Sequence, residues 1–362
     1  TYWMPLPGIL AAVGMNLFGN ISFMAARIPF WVLSGFVSPM TAFLGYRMTR
    51  KSRIAILAGI LAIFSGYYFI YQTITETFVI SEILGLCILF VISRLLDTSS
   101  RENFPWLQFG LLGILSGFFH LNRADGLIWL GIMGIFWIYY FGNKDLKKAF
   151  LSKQIYLSLF ALCGGYLIIM GAWYVRNISI FHQLFVPGTQ HTLWLTKYDD
   201  LFAYPASALS FQRWISAGAG SILLARWNAL GANIKTIIGV QGIIFFSPMI
   251  VLGISKYRCD IRIKIIGLYW LLELVVMSFV FPFAGSRGGY FHSVAAIQPI
   301  LWIMGAGGFE MMLNFGVKKR NWKLNRAWKM FGSAAVLLAI IFTGVIYTQK
   351  VIGEDNLGIE WD

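Results

Sequence analysis

Long apolar runs separated by short polar links dominate the pattern of hydrophobic and polar positions along this chain. A membrane-spanning helix needs about 20 mostly apolar residues, and that length predicts about ten spans. The spans are expected near 24–46, 54–74, 77–96, 107–121, 125–142, 152–174, 237–255, 264–284, 289–312 and 332–350. The predicted fold class is therefore all-α, a polytopic integral membrane protein.

Composition supports this class. Of 362 residues, 58% are hydrophobic and only 12% are charged, whereas soluble domains carry about 25% charged residues. The mean hydropathy is +0.70, so a bilayer is the expected solvent. The net charge of +14 could suggest nucleic acid, but the basic residues cluster between apolar runs, and we expect no nucleic-acid partner. The three cysteines, Cys87, Cys163 and Cys259, predict no disulfide framework.

The links alternate in charge, and this alternation predicts an orientation. Most of the 29 lysines and arginines lie in every second short link, and the positive-inside rule places those links in the cytoplasm. The other links and both termini are then extracytoplasmic: 72–76, 120–126, 175–236 and 285–288. We expect one transmembrane domain over 1–352 in a bacterial or archaeal plasma membrane. An acidic tail, 353–362, follows it outside and could lead into a further C-terminal region.

The extracytoplasmic link 175–236 is far longer than the others. Long loops are usually functional or disordered, and the many aromatic residues here argue against disorder. Apolar residues at helix-like spacing between Ala206 and Lys235 predict one or two helices lying on the membrane surface. The alternative is a loop that only packs on the ends of the spans.

Charged residues at the extracytoplasmic ends of the spans are the candidates for chemistry. Charges near membrane depth are costly and usually functional. Arginines that share a cavity with acidic residues suit an anionic headgroup and a proton transfer, because the guanidinium fork matches phosphate oxygens. The residues concerned are Arg27, Glu76, Glu82, Arg123, Asp125, Arg176, Asp199, Asp200, Arg287 and His292.

Several of these residues also have a purely structural interpretation. Arg123 and Asp125 could form an ion pair at a helix end. Arg176 could extend to the membrane interface without a ligand. Asp199 and Asp200 are most simply a solvated pair in a loop.

Three further features have a structural alternative of their own. His292 could be a polar anchor at the interface. Glu273 lies in the middle of a span and could relay protons, although an interhelical hydrogen bond is the simpler interpretation. The small residues Gly305–Gly308 predict close helix packing, since no phosphate-binding loop or other motif of soluble enzymes occurs here.

Four short passages resemble the polytopic GT-C glycosyltransferases, in particular the protein-mannosyltransferase-like group and its bacterial relatives. They are Tyr2–Arg27, Gly117–Gly126 with its Arg123-Ala-Asp125 turn, Trp173–Phe181 with Arg176-Asn177, and Arg287–Pro299. Their order, and their placement on one face of the membrane, are more specific than any one passage. Two positions depart from the family pattern. Ala124 stands where many relatives have proline, and His182 stands where glycine often follows the phenylalanine.

The resemblance implies an inverting transfer of a sugar from a polyprenyl-phosphate donor to a protein, lipid or glycan acceptor outside the cytoplasm. It implies no cofactor, and we assign no metal ligand. The family's usual catalytic acidic residue lies in the first extracytoplasmic loop, and we expect that Asp or Glu upstream of Thr1. The candidates for binding the lipid phosphate are Arg287, His292, Tyr290, Arg123, Asp125 and Arg176.

Arg287 is the preferred phosphate ligand among these candidates. It is expected at the outer mouth of a span, and Gly288 and Gly289 beside it would leave room for a bulky anion. His292 is preferred over Tyr290 as its companion, because an imidazole can donate a hydrogen bond to phosphate.

A transporter or flippase of a lipid or amphiphile is the main alternative function. Transporters often have inverted repeats and helices broken at the membrane midplane. Pro39 and Pro248 lie within predicted spans, but no repeat relates them, and the charges concentrate at the outer ends. A structural membrane subunit would leave the exterior arginines without a purpose.

Overall fold

A computed structural model describes residues 4–19, 21–98, 104–142, 153–186, 188–202 and 205–353. The expected tail after Gly353, the basic links at 99–103 and 143–152, and Tyr2 lie outside these residues. No strand occurs in the described residues, so the all-α prediction is confirmed. The helices of ten residues or more are Leu6–Leu17, Phe23–Thr49, Ser52–Ile63, Phe78–Thr98, Pro105–Asn122, Leu127–Gly142, Lys153–Phe181, Ala219–Thr236, Ser247–Tyr257, Ile261–Val275, Gln298–Arg320 and Leu324–Tyr347.

Seven helical segments within the described residues are long and apolar enough to cross a membrane. They are Phe23–Thr49, Phe78–Asp97, Ala124–Gly142, Lys153–Phe181, Ile261–Val280, Pro282–Arg320 and Leu324–Ile352. The polytopic architecture is therefore confirmed. The apolar helices Leu6–Leu17 and Ser52–Ile63 are shorter, so the number of about ten spans, which followed from a 20-residue length, stays a prediction.

Two predicted spans are interrupted well inside their bounds, and a third, 264–284, is interrupted near its end at Phe281. The span expected at 54–74 is interrupted at Gly66, whose φ of 65° lies in the left-handed region that glycine tolerates. The span expected at 237–255 is interrupted before Ser247, where Ile243 and Ile244 have φ of 43° and 52°. A new helix begins there with Pro248 in its first turn, a position where the missing N–H of proline costs nothing.

The long link begins later in the chain than predicted. The Lys153–Phe181 helix runs past 175, so the link begins after Phe181. Two helices, Phe211–Ser216 and Ala219–Thr236, occupy the part where helices were predicted. Leu223 and Trp227 are 65% and 71% exposed, as suits a helix facing lipid, but its place on the membrane surface stays a prediction.

The described fold divides into two compact units. The first comprises Thr1–Pro7, Cys87–Ile234 and Lys264–Val294. At its centre, the Pro105–Asn122 helix packs closely on Lys153–Phe181, and a methyl group at Gly113 would overlap the carbonyl group of Leu162. Small residues therefore allow the two backbones to touch, as is usual between membrane helices.

The second unit comprises Gly8–Leu86, Lys235–Ile263 and Ala295–Asp362. The Gln298–Arg320 helix packs on Ser247–Tyr257, and a methyl group at Gly308 would overlap the carbonyl group of Met249. This contact confirms the close packing predicted for Gly305–Gly308.

Candidate functional site

An ion pair lies where the Pro105–Asn122 helix ends. Arg123 adopts an extended backbone, with φ −150° and ψ 144°, and a 3-10 turn over Ala124–Gly126 follows. The Arg123 side chain is bidentate on Asp125, with Nε 2.9 Å from Oδ1 and Nη2 2.8 Å from Oδ2. The interpretation of these residues as an ion pair at a helix end is therefore confirmed. Both side chains are largely buried.

The same pair holds a distant segment of the chain. Arg123 Nη2 also donates to the carbonyl oxygen of Gly289 and to Ser293 Oγ, each at 3.2 Å. The Ser293 hydroxyl in turn contacts the carboxylate of Asp125. Tyr269 donates from its hydroxyl to the Ser293 carbonyl oxygen at 2.9 Å. The ion pair thus fixes the segment that contains Gly289 and Ser293.

The segment Gly285–Gly289 is a kink between two helical segments. Arg287 has φ −97° and ψ 25°, and Gly288 has φ 104° and ψ −10°. A φ of 104° is a conformation that residues with a side chain rarely adopt. A Cβ at Gly289 would lie 2.7 Å from the Ala284 carbonyl oxygen. The glycines beside Arg287 are therefore required by the backbone, independently of any space that they leave for an anion.

Arg287 projects from this kink and is exposed. Its guanidinium carbon lies 4.8 Å from the centre of the Tyr198 ring, within the range of a cation–π interaction. In the part of the chain that the structure describes, Arg287 has no carboxylate partner. It is therefore a cation with open hydrogen-bonding capacity, in contrast to Arg123.

Asp200 is buried at the centre of a hydrogen-bond network, so its interpretation as a solvated loop residue was wrong. Its Oδ2 accepts from the backbone N–H groups of Thr196 and Lys197 and from the Thr196 hydroxyl, and its Oδ1 accepts from Arg213 Nη2. Burial acts to raise the pKa of Asp200, but these hydrogen bonds outweigh it and hold the pKa below its ordinary value. Asp199 is exposed, as expected.

The remaining candidates occupy different surroundings. His292 is partly exposed, and its ring lies beside Gly288, whereas Tyr290 is fully buried. Arg176 Nη1 donates to Asn177 Oδ1 at 3.0 Å, and its guanidinium lies over the Trp173 ring at 4.6 Å. No contact joins Arg176 to the Arg123 cluster among the described residues. The structure thus brings Arg123 and Asp125 together, and His292 lies close to the kink.

Glu273 is a buried carboxyl group with Tyr269 and Ser293 as its polar neighbours. Neither of its carboxyl oxygens has a hydrogen-bond partner with good geometry among the described residues. Ser293 nevertheless lies near enough to interact with the carboxyl group, so the interhelical hydrogen bond that the sequence favoured stays a prediction.

Two charged candidates of the second unit, Arg27 and Glu82, accept or donate hydrogen bonds within that unit. Arg27 Nε donates to the Thr73 carbonyl oxygen at 2.9 Å, and Gln72 donates to the carboxylate of Glu82 at 2.7 Å. These contacts give Arg27 and Glu82 structural roles in holding the segment before the Phe78–Thr98 helix.

Three residues of the first unit matter here that sequence reasoning had not singled out for the site. They are Tyr198, Arg213 and Ser293, which contact Arg287, Asp200 and Asp125. Tyr198 and Arg213 lie in the long link, whose aromatic content was the available signal.

One departure from the family pattern, His182 in place of glycine, lies at the end of a helix. His182 ends the Lys153–Phe181 helix with a φ of 55°, the left-handed conformation that commonly ends helices at glycine. A left-handed conformation costs a residue with a Cβ about 1–2 kcal/mol. Glycine relieves that cost but loses about 0.5–1 kcal/mol through the entropy of the unfolded chain.

We expect His182→Gly to keep or slightly raise the unfolding temperature and His182→Val to lower it, since a β-branched residue is least compatible with positive φ. Thermal unfolding of the purified protein in detergent measures both. Equal unfolding temperatures for the glycine and valine variants would contradict the assigned conformation.

The comparisons with known proteins concern the fold. No protein-family model and no curated protein matches the chain. The structure is similar to that of the archaeal oligosaccharyltransferase AglB from Archaeoglobus fulgidus in complex with an inhibitory peptide and a dolichol-phosphate. The TM-score is 0.51 at 13% identity, over 96% of this chain and 47% of that chain.

A second solved structure, of the Archaeoglobus fulgidus oligosaccharyltransferase tethered to an acceptor peptide with an NVT sequon, gives a TM-score of 0.50 at 12% identity. The match covers 96% of this chain and 47% of that chain. The chain thus spans about half the length of the solved structures it matches. At this identity the likeness shows the fold, and the fold is the GT-C fold that the four sequence passages resemble.

Proposed function

We propose that this chain is the membrane region of a glycosyltransferase that moves a sugar from a polyprenyl-phosphate-linked donor to a protein, lipid or glycan acceptor on the extracytoplasmic face. The observation that carries the proposal is the state of Arg287, which is exposed, has no carboxylate partner among the described residues, and is held on a kinked turn. The GT-C fold supports it, and so does the similarity to an oligosaccharyltransferase solved with a dolichol-phosphate and a peptide.

The chemistry follows from where charge develops. When the bond between sugar and lipid phosphate breaks, negative charge grows on the phosphate, and preorganised donors stabilise it. The Arg287 fork donates two hydrogen bonds to that phosphate, and His292 beside the kink supplies a third donor. Arg123 and Asp125 satisfy each other, so their part is to hold the kinked turn through Gly289 and Ser293. A carboxylate must take the proton of the acceptor, and no residue of this chain is assigned that role.

Sugar transfer by the full-length protein in membranes tests the proposal. Polyprenyl-phosphate hexoses and pentoses, each labelled in the sugar, are supplied to membranes with and without the protein. We expect protein-dependent transfer of label to an acceptor together with release of polyprenyl phosphate. Labelled donor that crosses sealed vesicles with its sugar–phosphate bond intact would support the transporter instead.

The proposed face can be tested by labelling. In a variant without Cys87, Cys163 and Cys259, a cysteine at Ser207 should react with an impermeant thiol reagent in intact cells. Cysteines at Ser52 and Asn321 should react only after the membrane is opened, because their links carry the positive charges. All three positions are exposed, so burial does not explain a difference. If a cysteine at Asn321 is labelled in intact cells, the proposed orientation is wrong.

A further inference from the structure

We infer that Asp200 is a positioning residue for Arg287 and acts through the ring of Tyr198. The inference rests on the proposed function, because it assigns the long link a role at the same phosphate site. It assigns a positioning role to the buried carboxylate of Asp200, which takes no direct part in the proposed sugar transfer.

The first step is that Asp200 fixes the backbone on both sides of Tyr198. Its Oδ2 accepts from the N–H groups of Thr196 and Lys197 at 3.0 and 3.1 Å and from Thr196 Oγ1 at 2.8 Å. The Asp200 N–H donates to the Lys197 carbonyl oxygen, which closes the 3-10 turn Tyr198–Phe202. A carboxylate that accepts several hydrogen bonds within its own turn gives that turn one conformation.

The second step is that this turn is tied to a packed helix. Arg213 Nη2 donates to Asp200 Oδ1 at 2.8 Å from the helix Phe211–Ser216. Ser210 caps that helix, and Trp194 packs on it, with its ring centre 5.7 Å from that of Trp214. Asp200 therefore joins the turn to the ordered part of the long link.

The third step is the contact between the turn and Arg287. The Tyr198 ring lies 4.8 Å from the guanidinium carbon of Arg287. An exposed arginine loses about 2 kcal/mol of rotamer freedom when it is immobilised. The guanidinium carbon lies over the ring, and a cation–π contact uses none of the guanidinium N–H groups as hydrogen-bond donors, so these groups stay open to an anion. Tyr198 thus orders Arg287 before the phosphate arrives, and Asp200 orders Tyr198.

The chain offers a matched control for this arrangement. Asp199 is adjacent to Asp200 and carries the same charge, but it is exposed. Asp199→Asn and Asp200→Asn therefore remove the same charge from neighbouring positions. Only the second replaces one of the two oxygens that bind the turn and Arg213 by an NH2 group, which cannot accept a hydrogen bond. Tyr198→Phe keeps the ring, whereas Tyr198→Leu removes it.

The test measures kcat/KM for the polyprenyl-phosphate donor, per amount of monodisperse protein in detergent. An exposed cation–π contact corresponds to about a two- to fivefold change, so Tyr198→Leu and Asp200→Asn should lower kcat/KM by that factor. Tyr198→Phe and Asp199→Asn should match wild type. Retention of activity by the phenylalanine variant is the signature of a ring that positions the cation.

A double-mutant comparison separates positioning from a general effect on the fold. In an Arg287→Lys background, Asp200→Asn should lower kcat/KM by less than it does in wild type, because both changes act on one contact. If Asp200→Asn lowers kcat/KM by the same factor in both backgrounds, the inference is overturned. A wild-type kcat/KM for Tyr198→Leu would overturn it as well. Wild-type protein is the reference throughout, so a failure of the proposed function, which appears as no transfer by wild type, is distinct from a failure of this inference.

Discussion

Arg287→Ala is expected to reduce sugar transfer by about tenfold or more, because a hydrogen bond to a charged group contributes about 1.5–3 kcal/mol. Arg287→Lys keeps the charge but loses the fork, so we expect it to be clearly impaired. Folding should be unaffected, since Arg287 is exposed and its only ring or polar contact among the described residues is with Tyr198. The measurement is transfer from a labelled polyprenyl-phosphate sugar, normalised to protein amount.

Lys197→Ala is the matched control. Lys197 is an exposed cation next to Tyr198, and its side chain has no ion pair within the described part of the chain. Its removal changes the net charge by the same amount and should leave transfer close to wild type. Transfer at the wild-type rate by Arg287→Ala would place the phosphate site elsewhere, and Arg123 and Arg176 would be the next candidates.

Asp125→Ala should have the largest effect on stability. The change leaves the largely buried Arg123 without its carboxylate, and breaking a buried ion pair typically costs about 3–5 kcal/mol. We expect a lower unfolding temperature and less monodisperse protein in detergent. Asp125→Asn should be intermediate, because the amide oxygen still accepts one hydrogen bond from the guanidinium.

A double variant, Arg123→Leu with Asp125→Ala, checks this reason. Replacement of both charges removes the unpaired cation, so stability should recover most of what Asp125→Ala lost. Transfer should not recover, because the contacts to Gly289 and Ser293 that hold the kink are gone. A double variant as unstable as Asp125→Ala would show that the loss comes from packing and not from the buried charge.

The sequence predicted the class of fold and most spans because hydropathy over 20 residues depends only on local composition. The interruptions at Gly66 and before Ser247 escaped this reasoning, since they depend on backbone dihedral angles inside apolar runs. Pro248 was a visible sign of the second interruption, but a hydropathy window averages over it.

The candidate site was predictable only where its contacts are local. Arg123 and Asp125 are two residues apart, and their pairing was foreseen as an alternative. The contacts of Asp125 with Ser293 and of Arg287 with Tyr198 join distant segments, and no periodicity indicates them. Asp200 was misjudged because its burial depends on a loop conformation that its own hydrogen bonds create.

The closeness of Arg123 and Asp125 in sequence has a consequence for biosynthesis. A chain is made from its amino end, so the two opposite charges emerge from the ribosome together, well before Gly289 and Ser293. The two helices on either side of this pair, Pro105–Asn122 and Leu127–Gly142, can therefore enter the bilayer with the two charges already neutralised by each other, which lowers the cost of insertion. The segment with Gly289 and Ser293 is made later and can bind to an ion pair that is already formed.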